Sequence, residues 1–211
     1  MKINHILFYL AFLVWSFVLL YNMIAIWGIT IKQILLLTHL GFFFNFVYLN
    51  VQLFTTFGLL NASKALINGM FKFAFSISLM IDIMFWGLYF GDPKHFEQKD
   101  VIEPMWYLIS MHGSNMIFLF GEHFLICKHE DNKNVGVVIM VAFSTIYSVI
   151  LYSVFFFLKI EVYPFLKQFS FLEYVMLVCI SSIVLILGNY LQKLFVPEEK
   201  VEEDCIQLTE L

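Results

Sequence analysis

Six stretches of almost uninterrupted apolar residues divide this chain, separated by short groups of Lys, Asp, Asn, Gly and Pro. They run near 6–27, 34–57, 69–90, 105–126, 135–158 and 170–192. Each has the roughly 20 residues that an α-helix needs to cross the hydrocarbon of a bilayer. The pattern predicts an all-α polytopic membrane protein, a bundle of six transmembrane helices over residues 1–196 followed by an acidic C-terminal tail over 197–211. The connections are too short to hold a separate soluble domain. The longest of them, 91–103, is charged and breaks at Pro93, while Pro104 suits the first turn of the helix that follows. The stretch 6–27 is too long for a signal-peptide core and has no convincing small-x-small cleavage site, so it is expected to stay as an anchor.

Composition strengthens this picture. Of 211 residues, 61% are hydrophobic and 13% charged, against roughly 45–50% and about 25% in soluble domains. No fold of this size buries that much apolar surface and still presents a polar exterior, so the solvent is lipid. The formal charge is -4 and all 12 basic residues are Lys. Without the planar Arg fork that reads phosphate, nucleic acid is excluded as a partner. Cys127, Cys179 and Cys205 show no metal-ligand spacing and no disulfide framework.

With six spans both termini share a side. Seven Lys fall there (Lys2, Lys64, Lys72, Lys128, Lys133, Lys193, Lys200) and five on the other (Lys32, Lys94, Lys99, Lys159, Lys167), which puts both termini in the cytosol, in the plasma membrane or the endomembrane system. Trp27, Trp86, Tyr89, Trp106 and Tyr163 then gather at the opposite interface. Glycosylation at Asn61-Ala62-Ser63 would reverse this orientation.

An ionisable group inside hydrocarbon costs several kcal/mol unless it faces the bundle interior, which makes His39, Asp82, His112, Glu122 and His123 candidates for function. Thr38 joins them as a hydroxyl beside His39. A helix rises 1.5 Å per residue, so depth can be counted along the chain. Thr38, six residues past Lys32, lies roughly 9 Å inward. His112, eight past Pro104, lies roughly 12 Å inward, and Asp82, nine before Gly91, roughly 13 Å from the same side. A hydroxyl, an imidazole and a carboxylate thus fall in one layer, and these are the types that make a nucleophile, a base and an orienting acid. Whether they face one another depends on helix rotation, which spacing leaves open. Thr38, Gly41, Asn45, Tyr48 and Gln52 form one small, polar stripe, which should face protein or a cavity. Ser114 and Asn115 follow His112 and are further polar candidates. The plainer alternatives are a Thr that bonds its own i-4 carbonyl and a His or Asp that links helices or relays protons. Glu122, His123 and Lys128 read as headgroup-level residues.

Two segments, PMWYLISMHGSNMIFLFGE (Pro104 to Glu122) and VYPFL (Val162 to Leu166), resemble motifs of the androgen-induced gene and androgen-dependent TFPI-regulating protein family of six-span membrane hydrolases. LLT at 36–38, FWGLYFGD at 85–92 and VLILGNYL at 184–191 resemble further segments of it, in the same order. The resemblance implies a threonine hydrolase that cleaves fatty acid esters of hydroxy fatty acids, with Thr38 and His112 as the required residues. The sequence departs from the family pattern at Gly41, where an Asp or Asn is usual, at Asn45, where a Gln is usual, and at Asn189, where a Glu follows the glycine.

The expected activity is ester hydrolysis within the bilayer. His112 serves as base and Thr38 as nucleophile; Asp82, Asn45, Ser114 and Asn115 are supporting polar residues, the last two as oxyanion donors. The partner is a lipid ester, and the chemistry needs neither a metal nor another cofactor. Two alternatives stand beside it. A haem could be held by His39 and His112, although neither has a matched partner near the other face. A transporter or interaction scaffold would use the same groups without hydrolysis, although no internal repeat and no span broken by Gly and Pro supports transport.

Overall fold

The computed structural model describes residues 3–28, 30–91, 104–125, 135–163 and 170–194. Among these residues every regular element is an α-helix: α1 Ile3–Trp27, α2 Ile31–Leu35, α3 Leu37–Thr56, α4 Lys64–Gly91, α5 Met105–Met111, α6 Ser114–Leu125, α7 Val135–Leu158 and α8 Phe171–Leu194. Residues 92–103 of the connection, the tail from 197 with Cys205, and Cys127 with Lys128 lie outside the described residues, as do 164–166 of the VYPFL segment.

Four helical stretches are long and apolar enough to cross a membrane: His5–Ile26, Lys64–Gly91, Val138–Leu158 and Phe171–Gly188. The expectation of six uninterrupted spans is corrected at the second and fourth segments, each of which is a broken helix. In the second, Leu36 takes an extended conformation (φ -63°, ψ 125°) between α2 and α3, and α3 carries the polar stripe that dilutes its hydropathy. In the fourth, the chain leaves helical geometry at His112 and Gly113 between α5 and α6.

Helix α4 is the hub, packed against α3, α6, α7 and α8. Small side chains explain its central place, since without a hydrophobic drive in lipid helices associate where their backbones can approach closely. Ser76 is fully buried beneath α8, and Ser78 accepts a 2.7 Å hydrogen bond from Asn45 Nδ2 of α3. Ser144 and Ser182 bond across α7 and α8 at 2.8 Å. Toward one end, Phe71 and Phe75 of α4 pack with Tyr9, Phe12, Tyr48 and Leu119. Glu122 and His123 turn into this region and not toward headgroups: Glu122 is fully buried, and His123 stacks on Phe71 at 5.2 Å. The reason is that α6 packs against α3 and α4, which carries this face of the helix inward. The outer faces of α7 and α8 are apolar, with Val138, Phe157, Phe171 and Leu172 all exposed, as expected where lipid is the solvent.

Candidate active site

Both helix breaks expose backbone groups that a continuous helix would pair internally, and in a low-dielectric interior each must find another partner. At the first break the Leu35 carbonyl accepts a 2.8 Å hydrogen bond from the Tyr147 hydroxyl of α7. The Leu37 N–H donates at 2.8 Å to the hydroxyl of Tyr163, just beyond α7. The two phenols lie 3.3 Å apart. Tyr147 spends its proton on Leu35, so Tyr163 donates to Tyr147, and a chain of three bonds closes over the break. Burial pushes the Tyr163 phenol above its ordinary range, while its hydrogen bonds to Tyr147 and the Leu37 backbone pull it the other way. His39 adds a fourth tie, its Nδ1 lying 2.9 Å from the Gln33 carbonyl. A carbonyl can only accept, so Nδ1 carries the proton.

The second break is held from α4. The Trp86 indole donates to the His112 carbonyl at 3.1 Å, and the His112 ring lies flat on Phe85, with centroids 3.4 Å apart and planes 6° from parallel. Ser114 turns back to the Ser110 carbonyl. The sequence marks Trp86 and Tyr163 only as interfacial rings. Their work at the two breaks joins residues 26 and 126 positions apart, and no local pattern reveals such a pairing.

Between the breaks lies a cavity of about 190 Å³. Thr38 and His39 from the start of α3 and His112 from the end of α5 line it, with apolar walls from α4, α5, α7 and α8 that include Ile81, Met84, Phe85, Met111 and Leu185. No Lys, Asp or Glu is part of this wall among the described residues. The Thr38 hydroxyl makes no hydrogen bond to a described residue, so it does not bond back to its own helix. His112 is 8% exposed, and its Nδ1 is buried without a partner among the described residues.

The other residues singled out from the sequence are placed elsewhere. Asp82 lies on α4, partly exposed, and is not part of the cavity wall. Asn45 ties α3 to α4 through Ser78. Ser114 and Asn115 are buried at the start of α6, away from the wall. The space beside Gly41 is filled by the Cδ1 methyl of Ile81, a cavity residue. Among the described residues no cluster of His, Cys, Asp or Glu could hold a metal ion.

Removing the Tyr163 hydroxyl tests whether the phenol chain maintains the first break. Tyr163→Phe leaves the part-buried Leu37 N–H without its acceptor, at an expected cost of about 1–3 kcal/mol. Thermal unfolding in detergent should show a lower midpoint than for the parent, and an unchanged midpoint would mean that the break is maintained by packing alone.

A family model described as FAR-17a/AIG1-like protein matches residues 4–196. No curated protein and no solved structure matches the chain.

Proposed function

This chain belongs to the FAR-17a/AIG1-like protein family, which is the androgen-induced gene family, and on that premise we propose that it hydrolyses lipid esters inside the bilayer, fatty acid esters of hydroxy fatty acids among them, with Thr38 as nucleophile and His112 as general base. The observation that carries the proposal is that Thr38 and His112, from breaks in two separate helices, line one apolar cavity. In this reading α2–α3 and α5–α6 complete six crossings as broken helices, and both termini are cytosolic.

The chemistry follows from the groups present. His112 takes the hydroxyl proton as Thr38 Oγ1 attacks the ester carbonyl, whose π electrons move onto oxygen. The resulting tetrahedral oxyanion collapses, and His112 returns the proton to the departing alcohol. Water then attacks the acyl-threonine with His112 again as base, releasing the fatty acid and restoring the hydroxyl. The imidazole is oriented here by stacking on Phe85, with no carboxylate partner among the described residues. That distinguishes the arrangement from a Ser-His-Asp triad, whose acid orients the ring.

The cavity also favours an extended apolar substrate. At about 190 Å³ it is smaller than the roughly 300–1,000 Å³ of pockets that enclose a whole drug-sized ligand. It therefore takes the reacting ester and the adjoining methylenes, and the remaining chain lies along the bundle. A second hollow of about 200 Å³ shares Leu151 and Tyr174 with the first and continues the apolar wall between α7 and α8.

The test is covalent trapping. A long-chain alkyl fluorophosphonate incubated with the protein in proteoliposomes should phosphonylate Thr38, identified by peptide mass spectrometry, and the His112→Ala variant should label far more slowly. Labelling elsewhere, or none under conditions in which the ester is hydrolysed, would overturn the assignment of the nucleophile.

A further inference from the structure

A tetrahedral oxyanion in this cavity meets no Lys and no metal-binding cluster among the described residues, and the imidazolium of His112 is engaged in holding the transferred proton for the leaving alcohol. Ser114 and Asn115 do not reach the wall either. The stabilising donors must come from what does line it. Resting on the hydrolase reading above, we propose that the backbone N–H groups of Thr38 and His39 form the oxyanion hole.

The extended Leu36 is the origin of these donors. In a continuous helix the amides of residues 38 and 39 would bond to the carbonyls of residues 34 and 35. The turn away at Leu36 breaks both pairings, and the Leu35 carbonyl is taken by Tyr147. The first-turn amides of α3 then divide into three. Leu37 N–H is satisfied by Tyr163, Leu40 N–H bonds to the Leu36 carbonyl at 3.0 Å, and those of Thr38 and His39 lie between them with no backbone acceptor among the described residues. The N-cap residue itself, Leu36, has no side chain that can accept from them. The helix behind them runs for 20 residues, so its macrodipole adds positive potential at the same place.

A second observation points to a ligand there. His112 lines the same cavity from another helix with more than nine-tenths of its surface buried, and its Nδ1 has no partner among the described residues. A buried imidazole and two first-turn amides that line one apolar space are polar groups suited to a polar ligand centre there. The two kinds of group divide the work: the imidazole handles the proton, and the amides receive the charge that forms on the carbonyl oxygen. Because Thr38 supplies both the attacking oxygen and one donor, nucleophile and oxyanion hole stay in register on one turn of backbone.

The test deletes each N–H without deleting a side chain. Amide-to-ester replacement puts the α-hydroxy analogue of Thr at position 38, which keeps the hydroxyl nucleophile, or the α-hydroxy analogue of His at position 39. Loss of an oxyanion donor should lower kcat by about 10²–10³-fold with KM little changed. Affinity for a long-chain trifluoromethyl ketone, which mimics the tetrahedral species, should fall in parallel. The same replacement at Leu40 removes a helix hydrogen bond and should lower thermal stability without the fall in kcat. If both esters stay within threefold of the parent while Thr38→Ala is inactive, the oxyanion assignment fails and the hydrolase reading stands. If Thr38→Ala itself retains full activity, the assignment of Thr38 as nucleophile fails first.

Discussion

Thr38→Ala and His112→Ala, each purified and assayed on a long-chain ester in proteoliposomes, are expected to lose about 10²–10⁴-fold in kcat. In the proposed mechanism either change removes one half of a unit in which neither partner works alone. A threonine hydroxyl is a weak nucleophile until a base accepts its proton, and the imidazole has nothing to activate once the hydroxyl is gone. The double variant should therefore be little worse than the poorer single one, because effects within such a unit do not add. Thr38→Ser keeps the hydroxyl and should retain part of the rate. Asp82→Asn should stay within a few-fold of the parent, since Asp82 does not line the cavity. Additive losses at Thr38 and His112 would indicate two independent roles. A large loss at Asp82 would point to a carboxylate acting through a contact the described residues do not show.

These expectations also mark how far the sequence reaches. The apolar stretches give the helices, because length and hydropathy are local properties, and α1, α4, α7 and α8 appear close to where the pattern puts them. Counting residues from Lys32 and Pro104 puts Thr38 and His112 at similar depth, and both line one cavity. The same count puts Asp82 in that layer, but depth carries no information on rotation about the helix axis, and rotation turns Asp82 away from the wall. The breaks were not legible. Position 36 is a Leu between two Leu, with no Pro or Gly to announce a kink. What maintains it is a pair of tyrosine hydroxyls from more than a hundred residues downstream. Gly113 gives a weak local hint at the second break, but the anchors of His112 on Trp86 and Phe85 are tertiary. Sequence reading therefore finds the two cavity residues proposed here as nucleophile and base, and misses the break at Leu36 beside them.

The cavity also depends on how α8 crosses α4, since both helices line it. A Cβ on Gly188 would meet Ser76 Cα at 3.1 Å and Ser76 Cβ and Oγ at 3.2 Å. The first of these is backbone in a fully buried stretch of the hub helix, so no rotamer change relieves the contact, and α8 has to move as a body. Gly188→Leu is expected to destabilise the protein by about 1–3 kcal/mol or more, the range for overpacking a well-filled interior. Gly188→Ala should show a smaller effect of the same sign. Activity should fall as well, because Leu185, one turn before Gly188 on α8, and Met80 and Ile81, one turn after Ser76 on α4, all line the cavity. Gly41→Ala provides the contrast. Its new methyl would meet the end of the Ile81 side chain, which can rotate toward open space in the cavity, so stability should change less than for Gly188→Ala. Thermal unfolding in detergent, read beside the hydrolysis rate, separates the two glycines. Equal midpoints for Gly188→Leu and the parent would mean that α8 does not press on α4 as closely as this contact requires.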